Sequence, residues 1–224
     1  MKILNNFVVF EGGDGSGTST QMEILKSSFT AQPGLGFFNV YPPKGPGSSP
    51  LRLFPTFEPS DGPIGRFIRS ALRGEISLKN ETLAFLFAAD RNEHLFGPGG
   101  IEEHAKLGDL VVCDRYILSS LVYQGITCGE ELPVRLNSSF PLPEVLIFFD
   151  VAPEIAQKRM ENRQKKDIYE FLEFQVQVRE RYRALLPEFE AAGCKVVIID
   201  ASRPPDEVAD EVWKILQKMP ILKG

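Results

Sequence analysis

A glycine-rich segment near the start of the chain contains residue types suited to binding phosphate groups. It follows an apolar run and precedes a helical pattern, and it consists of Gly12, Gly13, Asp14, Gly15, Ser16, Gly17, Thr18, Ser19 and Thr20. Glycines allow positive φ angles and close approach of the backbone, and the N-terminus of the following helix adds partial positive charge. We therefore predict that this phosphate-binding loop holds the phosphates of a nucleoside triphosphate.

One position of the phosphate-binding loop departs from the usual pattern. The pattern G-x-x-x-x-G-K-S/T is met at Gly12, Gly17 and Ser19, but Thr18 occupies the lysine position. That lysine normally brings a cation to the β- and γ-phosphates, whereas Thr18 offers only a neutral hydrogen bond. Ser19 is still expected to be the hydroxyl ligand of Mg²⁺. Glycine turns also follow strands without binding phosphate, so the loop alone leaves a purely structural role open.

A carboxylate and an arginine follow the apolar run at 110–113, which predicts a buried strand. Ligands of open parallel sheets bind beyond the carboxyl ends of the strands, where Asp114 and Arg115 would lie. Asp114 is a candidate for binding Mg²⁺ through water or for orienting Arg115. The alternative is an ion pair between the two that only shapes the turn.

Arginines and an aromatic residue on predicted helices form a second group of candidates. A planar guanidinium suits a monophosphate with several oxygens to satisfy, and Arg69, Arg91 and Arg115 are candidates for this role. Phe87 precedes Arg91 by four residues, so their side chains would share one helix face. Helical arginines are more often solvated surface charges, and helical aromatics more often belong to the core.

The segment 159–170 is rich in basic residues. Arg159 and Arg163 are four residues apart, so they would share a helix face that could close over a nucleotide. Lys165 and Lys166 follow them and could bring further positive charge. A solvated, charged turn is the alternative.

Composition limits the class of protein more than its function. Of the 224 residues, 43% are hydrophobic and 25% are charged, with no shift that marks a boundary, so we expect one domain spanning 1–224. A net charge of −5 argues against a surface that coats nucleic acid, although a local basic pocket could bind a small anion. Three widely spaced cysteines and a polar start favour a cytoplasmic protein without disulfides, a zinc site or a membrane span.

The hydrophobic pattern predicts an α/β fold with a parallel sheet covered by helices on both faces. Strands are predicted at 7–10, 110–113, 145–149 and 196–199, with a weaker fifth at 37–41. Helices are predicted at about 19–29, 64–72, 80–95, 118–123, 153–163, 169–192 and 205–219. Prolines and glycines at 42–50 indicate an irregular loop, which we expect to continue to about residue 55.

Several motifs together resemble the thymidylate kinase family, in its order and spacing, across essentially the full chain. They are Phe10-Glu11-Gly12 with Asp14, Glu58-Pro59, Phe87-Ala88-Ala89-Asp90-Arg91, Asp114-Arg115-Tyr116 with Ser119, and Tyr123-Gln124-Gly125. The resemblance implies a P-loop fold with a five-stranded parallel sheet and a short lid at about 159–170. It also implies transfer of the γ-phosphate of ATP to dTMP with Mg²⁺, by a homodimer.

The resemblance also implies roles for individual residues. Those on the side of the acceptor nucleotide are Asp14 at the deoxyribose hydroxyl, Phe87 on the base, Gln124 near the base, and Arg69, Arg91, Arg115, Ser119 and Tyr123; Tyr169 is a further candidate. Charge around the transferred phosphate is expected from Arg91, Arg115, Arg159 and Arg163. Ser19 and Asp114 are the expected metal ligands.

Two departures from the family pattern leave alternatives open. Thr18 replaces the lysine of the loop, and Phe57 stands where an arginine is often found before Glu58-Pro59. Gly15 matches the subgroup that supplies a charge from the lid. The alternatives are a kinase for another nucleotide or nucleoside, and a nucleotide-binding protein that has lost catalysis.

Overall fold

A five-stranded parallel sheet forms the centre of the computed structural model, which describes residues 2–30, 51–161 and 171–223. The strands are β1 (Ile3–Glu11), β2 (Leu53–Phe57), β3 (Leu110–Asp114), β4 (Leu142–Asp150) and β5 (Lys195–Asp200). Their order across the sheet is β2-β3-β1-β4-β5, and every neighbouring pair is parallel. The predicted fold class is confirmed.

Helices connect the strands and cover both faces of the sheet. They are α1 (Thr18–Thr30), α2 (Pro63–Leu72), α3 (Asn80–Phe96), α4 (Ile101–Lys106), α5 (Ile117–Cys128), α6 (Glu131–Asn137), α7 (Pro153–Met160), α8 (Leu172–Ala191), α9 (Pro205–Leu216) and α10 (Pro220–Lys223). The short helices α4, α6 and α10 were not predicted. Residues 162–170, where two predicted helices would end and begin, lie outside the described residues.

The edge strand β2 corrects one part of the sequence prediction. The weak strand predicted at 37–41 and the irregular loop at 42–50 lie outside the described residues, but 53–55 is strand and not loop. Pro55 suggested a loop, because proline cannot donate to a sheet ladder. A proline is compatible with an edge strand, which pairs on one side only, and β2 pairs only with β3 within the described residues.

Helix α5 is longer than predicted because a glycine lies within it and does not end it. Gly125 is buried three residues before the last residue of α5. A Cβ atom at this position would lie 2.8 Å from the Arg181 guanidinium. The glycine is therefore explained by the close approach of Arg181 from α8.

Alternating residues of β1 face two hydrophobic clusters, one on each side of the sheet. Phe7 and Val9 pack with apolar residues of α2, α3, α4, α5 and α8. Val8 and Phe10 pack with apolar residues of α1, α7 and α9. Because both faces are covered, the part of β1 from Phe7 to Phe10 is a continuous apolar run. No helix in the described ranges combines the length and apolar character that a membrane span requires.

Strand pairing brings three chain segments together at the carboxyl edge of the sheet. Phe10 of β1 pairs with Asp114 of β3, and Phe57 of β2 pairs with the same residue. The ladder continues one step further, since the Arg115 amide donates to the Phe10 carbonyl at 2.8 Å. The segments that begin at Glu11, Arg115 and Glu58 therefore leave the sheet side by side.

A buried ion pair ties this edge to α3. Arg91 is 1% exposed, and its Nε and Nη2 atoms donate to Glu58 Oε2 at 2.9 and 2.6 Å. Its guanidinium also donates to Asn137 and Ser120 and lies over the ring of Tyr116. These contacts connect α3 with the end of β2, with α5 and with α6.

Replacing Glu58 by Gln should destabilise the fold strongly, because it leaves the Arg91 charge buried without its counter-ion. We expect a loss of about 3–5 kcal/mol in the free energy of unfolding, measured by urea denaturation at neutral pH. The matched control is Glu130→Gln, which removes the exposed partner of Arg181. That change should cost at most about 1 kcal/mol. Equal small losses in both variants would contradict the structural importance of the buried pair.

Candidate functional site

Two cavities open at the carboxyl edge of the sheet and share one wall. The first, here called the apolar cavity, has a volume of about 460 Å³ and lies among α1, α2, α3 and α5. The second, the loop cavity, has a volume of about 530 Å³ and surrounds the segment between β1 and α1. Asp14, Ser19 and Arg115 line both cavities. Molecules bound in the two cavities would therefore meet at these three residues.

The predicted phosphate-binding loop lines the loop cavity from Gly13 to Gln21. Gly15 has a φ angle of 78°, and a Cβ atom there would lie 2.7 Å from the Ala156 carbonyl oxygen. Only glycine fits this position without strain. The Ser16 hydroxyl is buried, and it has no hydrogen-bond partner among the described residues. Buried polar atoms without a hydrogen-bond partner are uncommon in proteins, so this hydroxyl favours a polar ligand in the loop.

Thr18 is the first residue of α1 and lies in the loop cavity with 5% of its surface exposed. Two further arginines line this cavity, Arg159 and Arg203. Arg159 Nη2 donates to the carbonyl oxygens of Ala201 and Ser202 at 2.9 and 3.3 Å. Within the part of the chain that the structure describes, Arg159 contacts no carboxylate. Its positive charge is therefore not neutralised by an ion pair there.

Arg203 was not identified from the sequence. Its guanidinium pairs with Glu211 and also donates to the Asp200 carbonyl at 3.1 Å. Arg115 directly follows β3, whereas Arg203 lies three residues beyond the end of β5, so the reasoning about strand ends would have selected it only if extended along the turn. The predicted residues Arg163, Lys165, Lys166 and Tyr169 lie outside the described residues.

Ser19 and Asp114 lie together where the two cavities meet. The Ser19 hydroxyl donates to Asp114 Oδ2 at 2.7 Å. Asp114 Oδ1 is buried and has no hydrogen-bond partner among the described residues. A hydroxyl and a carboxylate with an unused oxygen fit a hydrated Mg²⁺, which usually takes one or two protein ligands together with water and phosphate oxygens. Among the described residues, no three His, Cys, Asp or Glu side chains form a group that could hold a metal ion by themselves.

Arg115 is held in the wall between the cavities. Its ion pair is formed with Asp14, at 2.6 Å, and not with the neighbouring Asp114. Its Nη1 atom donates to the Gly12 carbonyl at 2.8 Å. The residue has a φ angle of 70°, which is uncommon outside glycine. The alternative interpretation from the sequence, an Asp114–Arg115 pair that only shapes the turn, is therefore wrong.

Asp14 is engaged by protein groups on both of its carboxylate oxygens. Oδ1 accepts from Arg115, and Oδ2 accepts from Gln175 Nε2 at 2.7 Å. Gln175 also accepts a hydrogen bond from the Asp14 amide at 3.1 Å. Each carboxylate oxygen has a further lone pair, so the predicted contact with a sugar hydroxyl would add to these interactions.

The remaining predicted residues surround the apolar cavity. Phe87 and Tyr123 line it with their rings, and burial raises the pKa of Tyr123, which keeps its hydroxyl protonated. Gln124 Oε1 is buried without a hydrogen-bond partner among the described residues. Arg69 pairs with Asp61 at 2.9 Å, and its guanidinium lies over the ring of Phe57.

Arg91 and Ser119 line the apolar cavity but are largely engaged by the protein. The four hydrogen bonds of Arg91 to Glu58, Asn137 and Ser120 leave one of its five N–H groups for a ligand. The Ser119 hydroxyl donates to Glu11 Oε2 at 2.6 Å. Arg91 was predicted to hold the acceptor's phosphate, and in this arrangement it could donate only one hydrogen bond to a ligand.

One face of α1 also lines the apolar cavity and was missed. Its residues are spaced i, i+3, i+4 and i+7: Ser19, Met22, Glu23 and Lys26. This helical spacing from Ser19 would have identified them.

The charged residues that line the apolar cavity are four carboxylates and four cations: Asp14, Glu23, Glu58, Asp114, Lys26, Arg69, Arg91 and Arg115. Their formal charges cancel.

Comparisons with known proteins agree with this geometry. A family described as thymidylate kinase matches residues 47–212. A putative thymidylate kinase of Treponema pallidum is 38% identical over 226 residues, covering all of both chains. A probable thymidylate kinase of Pyrobaculum aerophilum is 38% identical, covering 95% of this chain and 97% of its own. One from Methanocaldococcus jannaschii is 34% identical, covering 96% and 98%. The family match covers more than half of the chain and these relatives cover nearly all of it, so the chain belongs to the thymidylate kinase family.

Proposed function

We propose that the protein transfers the γ-phosphate of ATP to dTMP, giving dTDP and ADP. The observation that carries this proposal is the shared wall of the two cavities. A nucleoside triphosphate in the loop cavity and a monophosphate in the apolar cavity would bring their phosphates together at Asp14, Ser19 and Arg115. Phosphoryl transfer needs this alignment and positive charge more than it needs covalent chemistry from the protein.

On the donor side, the loop from Gly12 to Thr20 would hold the phosphates through its backbone and the N-terminus of α1. Ser19 and Asp114 would hold Mg²⁺, which offsets the negative charge of the phosphates when it is bound. Arg115 and Arg159 bring positive charge to the same cavity. The segment at about 159–170, including Arg163, remains a proposed lid.

On the acceptor side, the ring of Phe87 and the unsatisfied Gln124 oxygen suit a nucleobase with an N–H group, such as thymine. Arg115 is the proposed contact for the monophosphate, assisted by Arg69. The one uncommitted N–H group of Arg91 would add a single hydrogen bond. Asp14, Ser119 and Tyr123 would border the sugar.

The protein is also proposed to be cytoplasmic, to act as one domain over 1–224, and to form a homodimer. Exposed aromatic residues on α2 and α3 support a dimer, since these helices pack together and Phe67 and Phe85 are 42% and 53% exposed. Exposed apolar groups on one helix layer often mark a protein contact.

If α2 and α3 form the dimer contact, Phe85→Glu should convert the dimer to a monomer in sedimentation velocity experiments. A charge in an apolar contact loses its hydration without gaining a partner. The matched control is Val134→Glu on α6, which changes an exposed apolar residue of a different helix. A monomeric unmodified protein, or a dimer unaffected by Phe85→Glu, would contradict this arrangement.

The acceptor should be dTMP. In an assay of ATP consumption with a panel of nucleoside monophosphates, we expect the highest kcat/KM with dTMP, because the apolar cavity presents an aromatic ring and an amide oxygen to a pyrimidine base. Comparable rates with AMP, GMP or CMP and none with dTMP would contradict the proposal.

Arg159 should compensate for the missing lysine of the loop. We expect Arg159→Ala to lower kcat by about 10²-fold at saturating Mg-ATP, as removal of one transition-state donor commonly does. Thr18→Lys should partly restore the rate in the Arg159→Ala background, because it returns a cation to the same cavity.

The matched control is Arg135→Ala, which removes an exposed arginine of α6 outside both cavities. An unmodified protein that binds ATP without turnover, together with an active Thr18→Lys variant, would support the non-catalytic alternative. That alternative is favoured by one observation, the identity of Thr18.

A further inference from the structure

Glu11 is a buried carboxylate that lines neither cavity. It is the last residue of β1, is fully buried, and has four hydrogen-bonding groups within 3.2 Å of its carboxylate oxygens. Oε1 accepts from the amides of Tyr116 and Ser119 at 3.0 and 3.2 Å. Oε2 accepts from the Ser119 hydroxyl at 2.6 Å and lies 3.0 Å from the Tyr182 hydroxyl, and the two hydroxyl oxygens are 2.7 Å apart. Two protons serve these three contacts, so both hydroxyl protons stay within the group formed by Glu11, Ser119 and Tyr182.

Both hydroxyls also face the guanidinium of Arg115. Arg115 Nη1 lies 3.5 Å from the hydroxyl oxygens of both Ser119 and Tyr182. A hydroxyl whose only proton is used within this group keeps a lone pair for an N–H donor. Nη1 also lies 2.8 Å from the Gly12 carbonyl and 3.4 Å from the Tyr123 hydroxyl, so the three hydroxyls share its second N–H group. The attraction between Glu11 and Arg115 partly offsets the cost of burying the carboxylate.

Two residues of helix α8 bear on the terminal nitrogens of this guanidinium, one by direct contact and the other through Asp14. Tyr182 lies beside Nη1, while Gln175 holds the Asp14 carboxylate that binds Nη2. Gln175, Val178 and Tyr182 are buried and share one helix face. The position of the arginine therefore depends on α8 as well as on its own turn.

We propose that Glu11 and Tyr182 are positioning residues for Arg115, acting through the Ser119 and Tyr182 hydroxyls to keep its guanidinium in the wall between the two cavities. This inference rests on the proposed function, because the wall is where the phosphates would meet. A guanidinium that rotates away from this wall would still carry its charge but would not align the transferred group. The effect should therefore appear in kcat more than in substrate binding.

The first test is Tyr182→Phe, which removes one hydroxyl and keeps the buried ring. We expect kcat for dTMP phosphorylation to fall about tenfold, with the KM for ATP changed by less than about twofold. The same change in the Arg115→Lys background should have little further effect, because the lysine has no Nη1 atom to position. If Tyr182→Phe lowered kcat by the same factor in the Arg115→Lys background as in the unmodified protein, the proposal would be overturned, since Tyr182 would then act on another group.

A second variant, Glu11→Gln, keeps the test decisive if Tyr182→Phe folds poorly. It should lower kcat to a similar extent and should also lose its effect in the Arg115→Lys background. The matched control is Ser28→Ala, which removes a buried hydroxyl that donates to the Ile24 carbonyl away from both cavities. Melting temperatures of all variants separate a positioning effect from a loss of folded protein.

The outcomes distinguish this inference from the proposed function. An unmodified protein that does not phosphorylate dTMP would contradict the function itself. An active protein whose kcat is unchanged in both Tyr182→Phe and Glu11→Gln would overturn only the positioning roles.

Discussion

The parallel pairing of β1, β2 and β3 is the constraint on which the site depends. Asp114 has Phe10 as its partner on one side and Phe57 on the other, so three strands end at the same level. The phosphate-binding loop, Arg115 and Glu58 therefore leave the sheet next to one another. A shift of one residue in either ladder would move the last side chains to the opposite face and separate these groups.

Much of the fold could be predicted because its residues act locally. Apolar strands, helix periods and the glycine loop carry their own patterns, and four of the five strands and the long helices were predicted near their observed positions. The edge strand β2 was assigned to a loop, because the effect of a proline such as Pro55 depends on whether a strand has one neighbour or two. Gly125 shows the same limit, since its reason is the Arg181 side chain of a distant helix.

The residues of the site were easier to identify than their partners. Strand ends and motif spacing selected Arg115, Asp114 and Ser19, which the structure brings together. The pairing of Arg115 with Asp14, and of Arg91 with Glu58, depends on contacts between residues far apart in the chain. For the same reason, sequence spacing could not reveal that Glu11, although it lies in a recognised motif, contacts Ser119 and Tyr182.

The wall shared by the two cavities has a thermodynamic consequence. A nucleotide that alters the electrostatic environment of Arg115 from one cavity also alters it for the other cavity. The factor by which ATP changes the affinity for the monophosphate must then equal the factor by which the monophosphate changes the affinity for ATP. Because the charges lining the apolar cavity cancel, the sign of this coupling depends on the balance between the added phosphate charge and the accompanying cation. Each substrate is in this sense an effector of the other.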